Sequence, residues 1–173
     1  MLLTPGRCRA LAMTVSLAAC YDQAPADGSG PGEPPGISGL ANVIDGDSLE
    51  VDGVSIRLFG VDTFESAQYC NRSNGTRWRC GHWATVELDR LAGGRAVVCQ
   101  PLDKDSYGRV VARCRRGNSD LAKHMVAGGW GLAYRQYSED YVDVEDAARS
   151  ARRGAWGSEF EAPWDWRRRI RGN

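Results

Sequence analysis

Two short stretches carry side chains that could act together. Val43 to Glu65 reads V-I-D-G-D-S-L-E-V-D-G-V-S-I-R-L-F-G-V-D-T-F-E and holds Asp45, Asp47, Arg57, Asp62 and Glu65, while Asp105 to Arg109 reads D-S-Y-G-R. Asp45 and Asp47 leave a first apolar run, Arg57 lies inside a later one, and Asp62 and Glu65 follow at its exit. Asp52-Gly53 is a hairpin turn signal. Antiparallel pairing around it gathers the Asp47 and Asp62 carboxylates near Arg57, and acids crowded that closely favour a cation among them. Taken singly, each residue has an ordinary structural use: D-G-D forms turns, a strand arginine pairs with an exposed acid, and Tyr107-Gly108-Arg109 ends a hairpin.

The elements that must position these groups are legible from patterning. Strands are predicted at Leu40 to Ile44, Ser48 to Val51 and Val54 to Val61, followed by a polar loop from Ser66 to Gly81. Trp83, Val86, Leu88 and Leu91 then form a helical stripe that stops at Gly93-Gly94. Arg95 to Gln100 and Val110 to Arg113 read as strands joined by the turn that holds Asp105 to Gly108. Asn118 or Ser119 can cap a helix with Leu121, Ala122, Met125 and Val126 at i, i+4 spacing. Ser138 can cap another carrying Tyr141, Val144, Ala148 and Ala151 and closing at Gly154. This order gives an α+β chain, mainly β, with about three helices and no internal repeat. Tryptophans and four arginines fill the end, P-W-D-W-R-R-R-I-R-G-N. Such a tail could grip phosphates and stack bases, but it is read here as core-covering tryptophans followed by a solvated basic end at 167–173.

At 173 residues the chain holds one domain plus extensions. Its 22 basic and 22 acidic side chains cancel, which excludes attachment to nucleic acid by bulk charge and requires any such contact to be local. Arg7 and Arg9 precede a short apolar run from Ala10 to Ala19, the layout of a signal peptide over 1–20. Its end, Leu17-Ala18-Ala19-Cys20, is similar to the lipobox of bacterial lipoproteins, so Cys20 is the expected lipidation site. The alternative is plain cleavage after Ala24-Pro25-Ala26; either way the mature chain is exported. The Pro- and Gly-rich residues 21–38 form a tether, and the folded domain spans 39–166. Of six cysteines, Cys70, Cys80, Cys99 and Cys114 belong to the domain. In an oxidising compartment they suggest two disulfides with three possible connectivities; the sequence-local pairing, Cys70 with Cys80 and Cys99 with Cys114, is taken. A zinc site, the rival, lacks any C-x₂-C spacing.

Together, V-I-D-G-D-S-L, I-R-L-F-G-V-D-T-F-E and D-S-Y-G-R, with Leu132 to Tyr137 and Gly154-Ala155-Trp156 behind them, resemble the thermonuclease, or staphylococcal-nuclease-like, family from Gly39 to about Gly157. The resemblance implies a five-stranded OB-fold barrel carrying helices and Ca²⁺-dependent cleavage of DNA and RNA by water attack on phosphorus, with the 5′ oxygen leaving. It also implies roles: Asp47, Asp62 and the Thr63 carbonyl as metal ligands, Arg57, Glu65 and Arg109 as the catalytic trio, Asp45 as a neighbouring acid, and Tyr107 as a contact to the terminal phosphate. Tyr134 and Tyr137 are assigned to substrate, although their spacing differs from the family's base-stacking tyrosines. Other departures are Phe64 in place of proline, which predicts a looser turn before Glu65, Ser106 in place of a basic residue, and a Cys70 to Cys80 loop in place of a longer lysine-bearing one.

That residue set suits phosphodiester hydrolysis. Extra negative charge gathers on the equatorial oxygens at phosphorus; a hard cation and two permanently charged guanidiniums can share it, while a carboxylate orients or deprotonates the water. The expectation is an exported, lipid-anchored, monomeric nuclease of low sequence preference. The alternative is a non-catalytic OB-fold nucleic-acid-binding module of the cell envelope, which would need basic and aromatic groups but no acidic pocket.

Overall fold

The computed structural model describes residues 35–172. The signal segment, Cys20 and most of the tether lie outside the described residues. Strands β1 (Ile37–Val43), β2 (Ser48–Val51) and β3 (Val54–Leu58) form an antiparallel meander. Asp52-Gly53 turns β2 into β3 with φ of 51° and 74°, the left-handed pair that a two-residue hairpin favours. Next come β4 (Val61–Thr63), β5 (Cys70–Arg72), β6 (Arg77–Trp78) and helix α1 (Cys80–Ala92). The long pair β7 (Ala96–Lys104) and β8 (Val110–Arg116) leads through β9 (Ser119–Asp120) into α2 (Leu121–Ala127). β10 (Gly131–Ala133), α3 (Val142–Ser150), a 3₁₀ turn (Gly154–Gly157), β11 (Ser158–Glu159) and α4 (Pro163–Arg171) complete the order.

β3 pairs with β2 on one side and, in parallel, with β8 on the other, so β3-β2-β1-β7-β8 closes as a five-stranded barrel. Closure leaves no long open edge. Leu49, Val51, Ile56, Leu58, Val97 and Ala112 fill its interior, and α1 through Leu88 and α2 through Met125 and Val126 cover it. A second apolar cluster lies apart, where Phe64, Cys70, Cys80, Leu132 and Ala155 meet the partly buried Trp78, Trp156, Phe160 and Trp164. Both expected disulfides are present, Cys70–Cys80 and Cys99–Cys114. The latter joins residues directly opposed in the β7–β8 register.

Several boundaries differ from the sequence reading for local reasons. The strand expected to run from Val54 to Val61 stops at Leu58; the chain turns through Phe59-Gly60, and β4 leaves to pair with β10. β7 continues past Gln100 through an irregularity between Pro101 and Asp103. Asp120, rather than Asn118 or Ser119, caps α2 by accepting the Lys123 amide at 2.9 Å. Ser138 sits a turn ahead of α3 and accepts the Asp140 amide, and α3 ends at Ser150 rather than at Gly154. The boundary drawn at residue 166 falls inside a fourth helix, since α4 continues to Arg171.

One close approach ties fold to site. A Cβ built on Gly81, in the first turn of α1, would lie 1.6 Å from the Glu65 carbonyl oxygen. Gly81→Ala is therefore expected to lower stability by about 2–3 kcal/mol by forcing helix and loop apart. Urea denaturation checks this, and an unchanged midpoint would show that the two backbones are free to separate.

Candidate active site

The β2–β3 register places Ser48 opposite Arg57, with Asp47 one residue ahead of β2. Arg57 Nη1 donates to Asp47 Oδ1 at 2.8 Å, and Nη2 donates to Asp62 Oδ1 at 2.8 Å. One guanidinium thus bridges acids from two chain segments, as the hairpin pattern predicted. The other Asp47 oxygen accepts the Thr63 amide at 3.0 Å, which locks β4 against the start of β2. β4 in turn is held by β10, with Leu132 opposite Asp62, and β10 is fixed to α3 where the buried Glu145 accepts the Ala133 amide. Asp47 is 4 % exposed and Asp62 0 %. Among the described residues, no buried side-chain nitrogen or oxygen lacks a hydrogen-bond partner.

Arg109 joins through a relay. Its Nη1 donates to Ser48 Oγ at 3.0 Å, and that hydroxyl donates to Asp47 Oδ1 at 3.2 Å. Asp105 holds the D-S-Y-G-R turn by accepting the amides of Tyr107 and Arg109 and the Arg109 Nε–H. Tyr107 projects from this turn, 77 % exposed. A cleft of about 720 Å³ opens over the cluster and is lined by Asp47, Arg57, Glu65, Arg109 and the three expected tyrosines, Tyr107, Tyr134 and Tyr137. Tyr134 packs at 4.9 Å from Tyr137 and stacks on Trp164 at 5.8 Å, nearly parallel.

Burial disfavours the charge on Arg57, but Asp47 and Asp62 outweigh it and hold its pKa above the ordinary arginine value. Burial also pushes the Asp45 carboxyl above its usual range, and the neighbouring Asp47 charge adds to the shift. Asp45 Oδ1 accepts the Asp47 amide at 3.0 Å, so this acid shapes the turn while lining the cleft.

The loop that carries Glu65 has packing and hydrogen-bond partners on both sides. Phe64 is buried, edge-on to Phe160 at 5.0 Å. Gln68, 1 % exposed, accepts the Glu65 amide through Oε1 and donates through Nε2 to the Glu161 carbonyl at 2.7 Å. Phe64 packing and the Gln68 hydrogen bonds stand where the family's proline would supply a ring constraint.

Three contributors escaped the sequence reading: Ser48, Gln68 and, above all, Arg167. Arg167 reaches from α4 to Asp62 with both terminal nitrogens, Nη2 to Oδ2 at 2.7 Å and Nη1 to Oδ1 at 3.0 Å, and its Nη1 also meets Glu65 Oε1 at 2.6 Å. Burial opposes its charge, yet the bonds to Asp62 and Glu65 prevail and raise its pKa. The available signal was the one-face spacing of Trp164, Arg167 and Arg171 at i, i+3, i+7.

Among the described residues, no group of three or more His, Cys, Asp or Glu side chains forms a metal cage. The donors present nevertheless suit a hard cation, which accepts carboxylates, backbone carbonyls and water. Asp47 and Asp62 are bridged by one fork of nitrogens, and Thr63 follows Asp62 directly.

Barrel, helices and cleft together define an OB-type α+β domain with an acid-and-arginine site on its flank. Residues 55–158 match the family described as Staphylococcal nuclease homologue, and the chain belongs to that family. It is 32% identical over 136 residues to the succinoglycan biosynthesis protein ExoI of Rhizobium meliloti, a match covering 77% of this chain and 70% of that protein. It is 30% identical over 143 residues to the probable endonuclease LCL3 of Schizophyllum commune, covering 70% of this chain and 47% of the relative. A shorter match, 33% identical over 91 residues, links it to the probable staphylococcal-like nuclease CAN2 of Oryza sativa subsp. japonica, covering 51% of this chain and 25% of the relative. The chain thus spans about half of LCL3 and a quarter of CAN2.

The ion network has a direct consequence for stability. Asp62→Asn keeps the shape but removes the charge that two guanidiniums face, and a loss of about 2–4 kcal/mol is expected. Chemical denaturation near neutral pH measures it, and a loss below 1 kcal/mol would mean that both arginines regain water at little cost.

Proposed function

We propose that this protein is an exported, lipid-anchored nuclease that hydrolyses phosphodiester bonds of DNA and RNA with low sequence preference, depends on Ca²⁺ and works as a monomer. The observation that carries the reading is the bridge from Arg57 to Asp47 and Asp62 at the base of the cleft, with Arg109 joined through Ser48 and Glu65 alongside. Membership of the staphylococcal nuclease homologue family and likeness to relatives named as endonucleases support it.

Asp47, Asp62 and the Thr63 carbonyl are the groups to hold Ca²⁺, which when bound supplies a Lewis acid for a phosphoryl oxygen. Each guanidinium has five N–H donors in a rigid fork, more than its acid partners occupy, so Arg57 and Arg109 can also bind equatorial oxygens of the phosphate. Glu65 accepts a hydrogen bond from the attacking water and orients it or takes its proton. Tyr107 contacts a terminal phosphate, and Tyr134 and Tyr137 offer ring faces to bases. Ser48 and Gln68 act as positioning residues for Arg109 and Glu65.

Arg57→Ala and Arg109→Ala are each expected to slow cleavage by at least about 10²-fold, the usual loss for one prepositioned donor. Purified protein is mixed with plasmid and with RNA, in Ca²⁺ or in chelator, beside Glu65→Gln. Binding without cleavage in every condition would favour a non-catalytic binding module, and cleavage that persists in chelator would remove the calcium assignment. Anchorage rests on Leu17-Ala18-Ala19-Cys20. Cys20→Ser should release the protein from the membrane fraction, and unchanged fractionation argues against the lipid.

A further inference from the structure

Arg167 stands outside the segment that matches the family, which ends at residue 158. Its helix is nevertheless firmly seated. Trp164 stacks on Tyr134, Phe160 packs on Phe64 and on Trp156, and Gln68 holds the Glu161 carbonyl just ahead of α4. Pro163 opens α4 at a position where its missing N–H has no consequence. This seating, with Trp164 laid on Tyr134, aims Arg167 and Arg171 of the helix at the cleft. Arg168 and Arg169 pair with Asp165 and Glu161.

Arg167 covers the acids that a cation would use. Asp62 has no exposed surface, and both of its oxygens already accept guanidinium donors: Oδ1 from Arg57 and Arg167, Oδ2 from Arg167. A divalent ion ligated by Asp62 must take one of those lone pairs while lying beside two positive charges. The two arginines are not equally able to yield. Arg57 is 16 % exposed and bound to Asp47 as well, whereas Arg167 is 27 % exposed, reaches in from the rim and has the open cleft beside it.

We propose that Arg167 is a built-in competitor for the cation position: it neutralises Asp62 and Glu65 in the metal-free protein and must swing into the cleft before a divalent ion can bind. It therefore sets the cation affinity of the site. It also restrains Glu65 until the ion is in place. This inference rests on the assignment of Ca²⁺ to Asp47, Asp62 and Thr63.

The test is calorimetric titration of Ca²⁺ into the full chain, into Arg167→Gln and into the charge-retaining Arg167→Lys. Arg167→Gln should bind Ca²⁺ about fivefold or more tightly than the wild type, the lower range of a typical coupling between two ligands of one site. Arg167→Lys should stay near the wild type. Binding by the wild type with equal or weaker binding by a folded Arg167→Gln overturns the proposal and spares the calcium assignment. No binding by either protein overturns both. The wild type alone gives a second readout, since the Arg167 Nε–H resonance must shift on saturation with Ca²⁺, and a resonance that stays in place overturns the competition even if Arg167→Gln does not fold.

Discussion

Two buried carboxylates sharing one guanidinium set the terms for the rest of this domain. Moving an ionised acid out of water costs several kcal/mol, and Arg57 offsets that cost for Asp47 and Asp62 by meeting both at once, with Arg167 adding to Asp62. The meeting needs three separate pieces of backbone in step. The hairpin must place Ser48 opposite Arg57, the chain must turn after Leu58, and β4 must lie close enough for the Thr63 amide to reach Asp47. A one-residue slip in β2 or β3 would turn Arg57 to the other face of the sheet, leaving the buried Asp47 without its ion pair and Asp62 with Arg167 alone. The same ion network that suits chemistry therefore helps specify the strand register.

What could be read beforehand follows from this. The Asp52-Gly53 turn, the alternation of β2 and β3, and acids at both ends of the hairpin are local signals. They were enough to bring Asp47, Asp62 and Arg57 together. Local signals also located α1, α2 and α3 and the two disulfides. Barrel closure through β3 and β8 pairs segments more than fifty residues apart, such as Ile56 with Val110; no turn or periodicity encodes it, and the expectation came from the family likeness. The break after Leu58 was hidden because Phe59-Gly60-Val61 continues an apolar run, while β10, the strand that draws β4 away, lies seventy residues further on. Arg167 was hidden for another reason. A run of arginines behind a proline and two tryptophans has the composition of a solvated tail, and only tertiary packing of Trp164 distinguishes the one arginine that turns inward.

The second apolar cluster gives the C-terminal extension its purpose. Phe64 and the Cys70–Cys80 bridge form a floor on which Trp156, Phe160 and Trp164 rest. Gln68 then joins the loop of Glu65 to the residue before Ala162 through the oxygen and the nitrogen of its one carboxamide. A proline before Glu65 would stiffen the loop from within; here the stiffness comes from neighbours on both sides. Such an arrangement makes the loop's conformation depend on α4, so the helix that supplies Arg167 also holds the backbone whose carboxylate Arg167 contacts.

A chain with no net charge can still present a polyanion with a favourable surface if the signs are sorted by depth. Here two of the acids are set inward: Asp47 and Asp62 are buried, while the guanidiniums that cover them, Arg57, Arg109 and Arg167, keep partial exposure toward the cleft. The acids lie close enough to keep those donors oriented and charged, and deep enough that the donors screen them from an anion. Sorting by depth also explains why bulk charge is a poor guide to this molecule. Neutrality over the whole chain is compatible with guanidiniums that line a cleft above buried acids, provided that each of those acids has an arginine partner, as Asp47 and Asp62 both do.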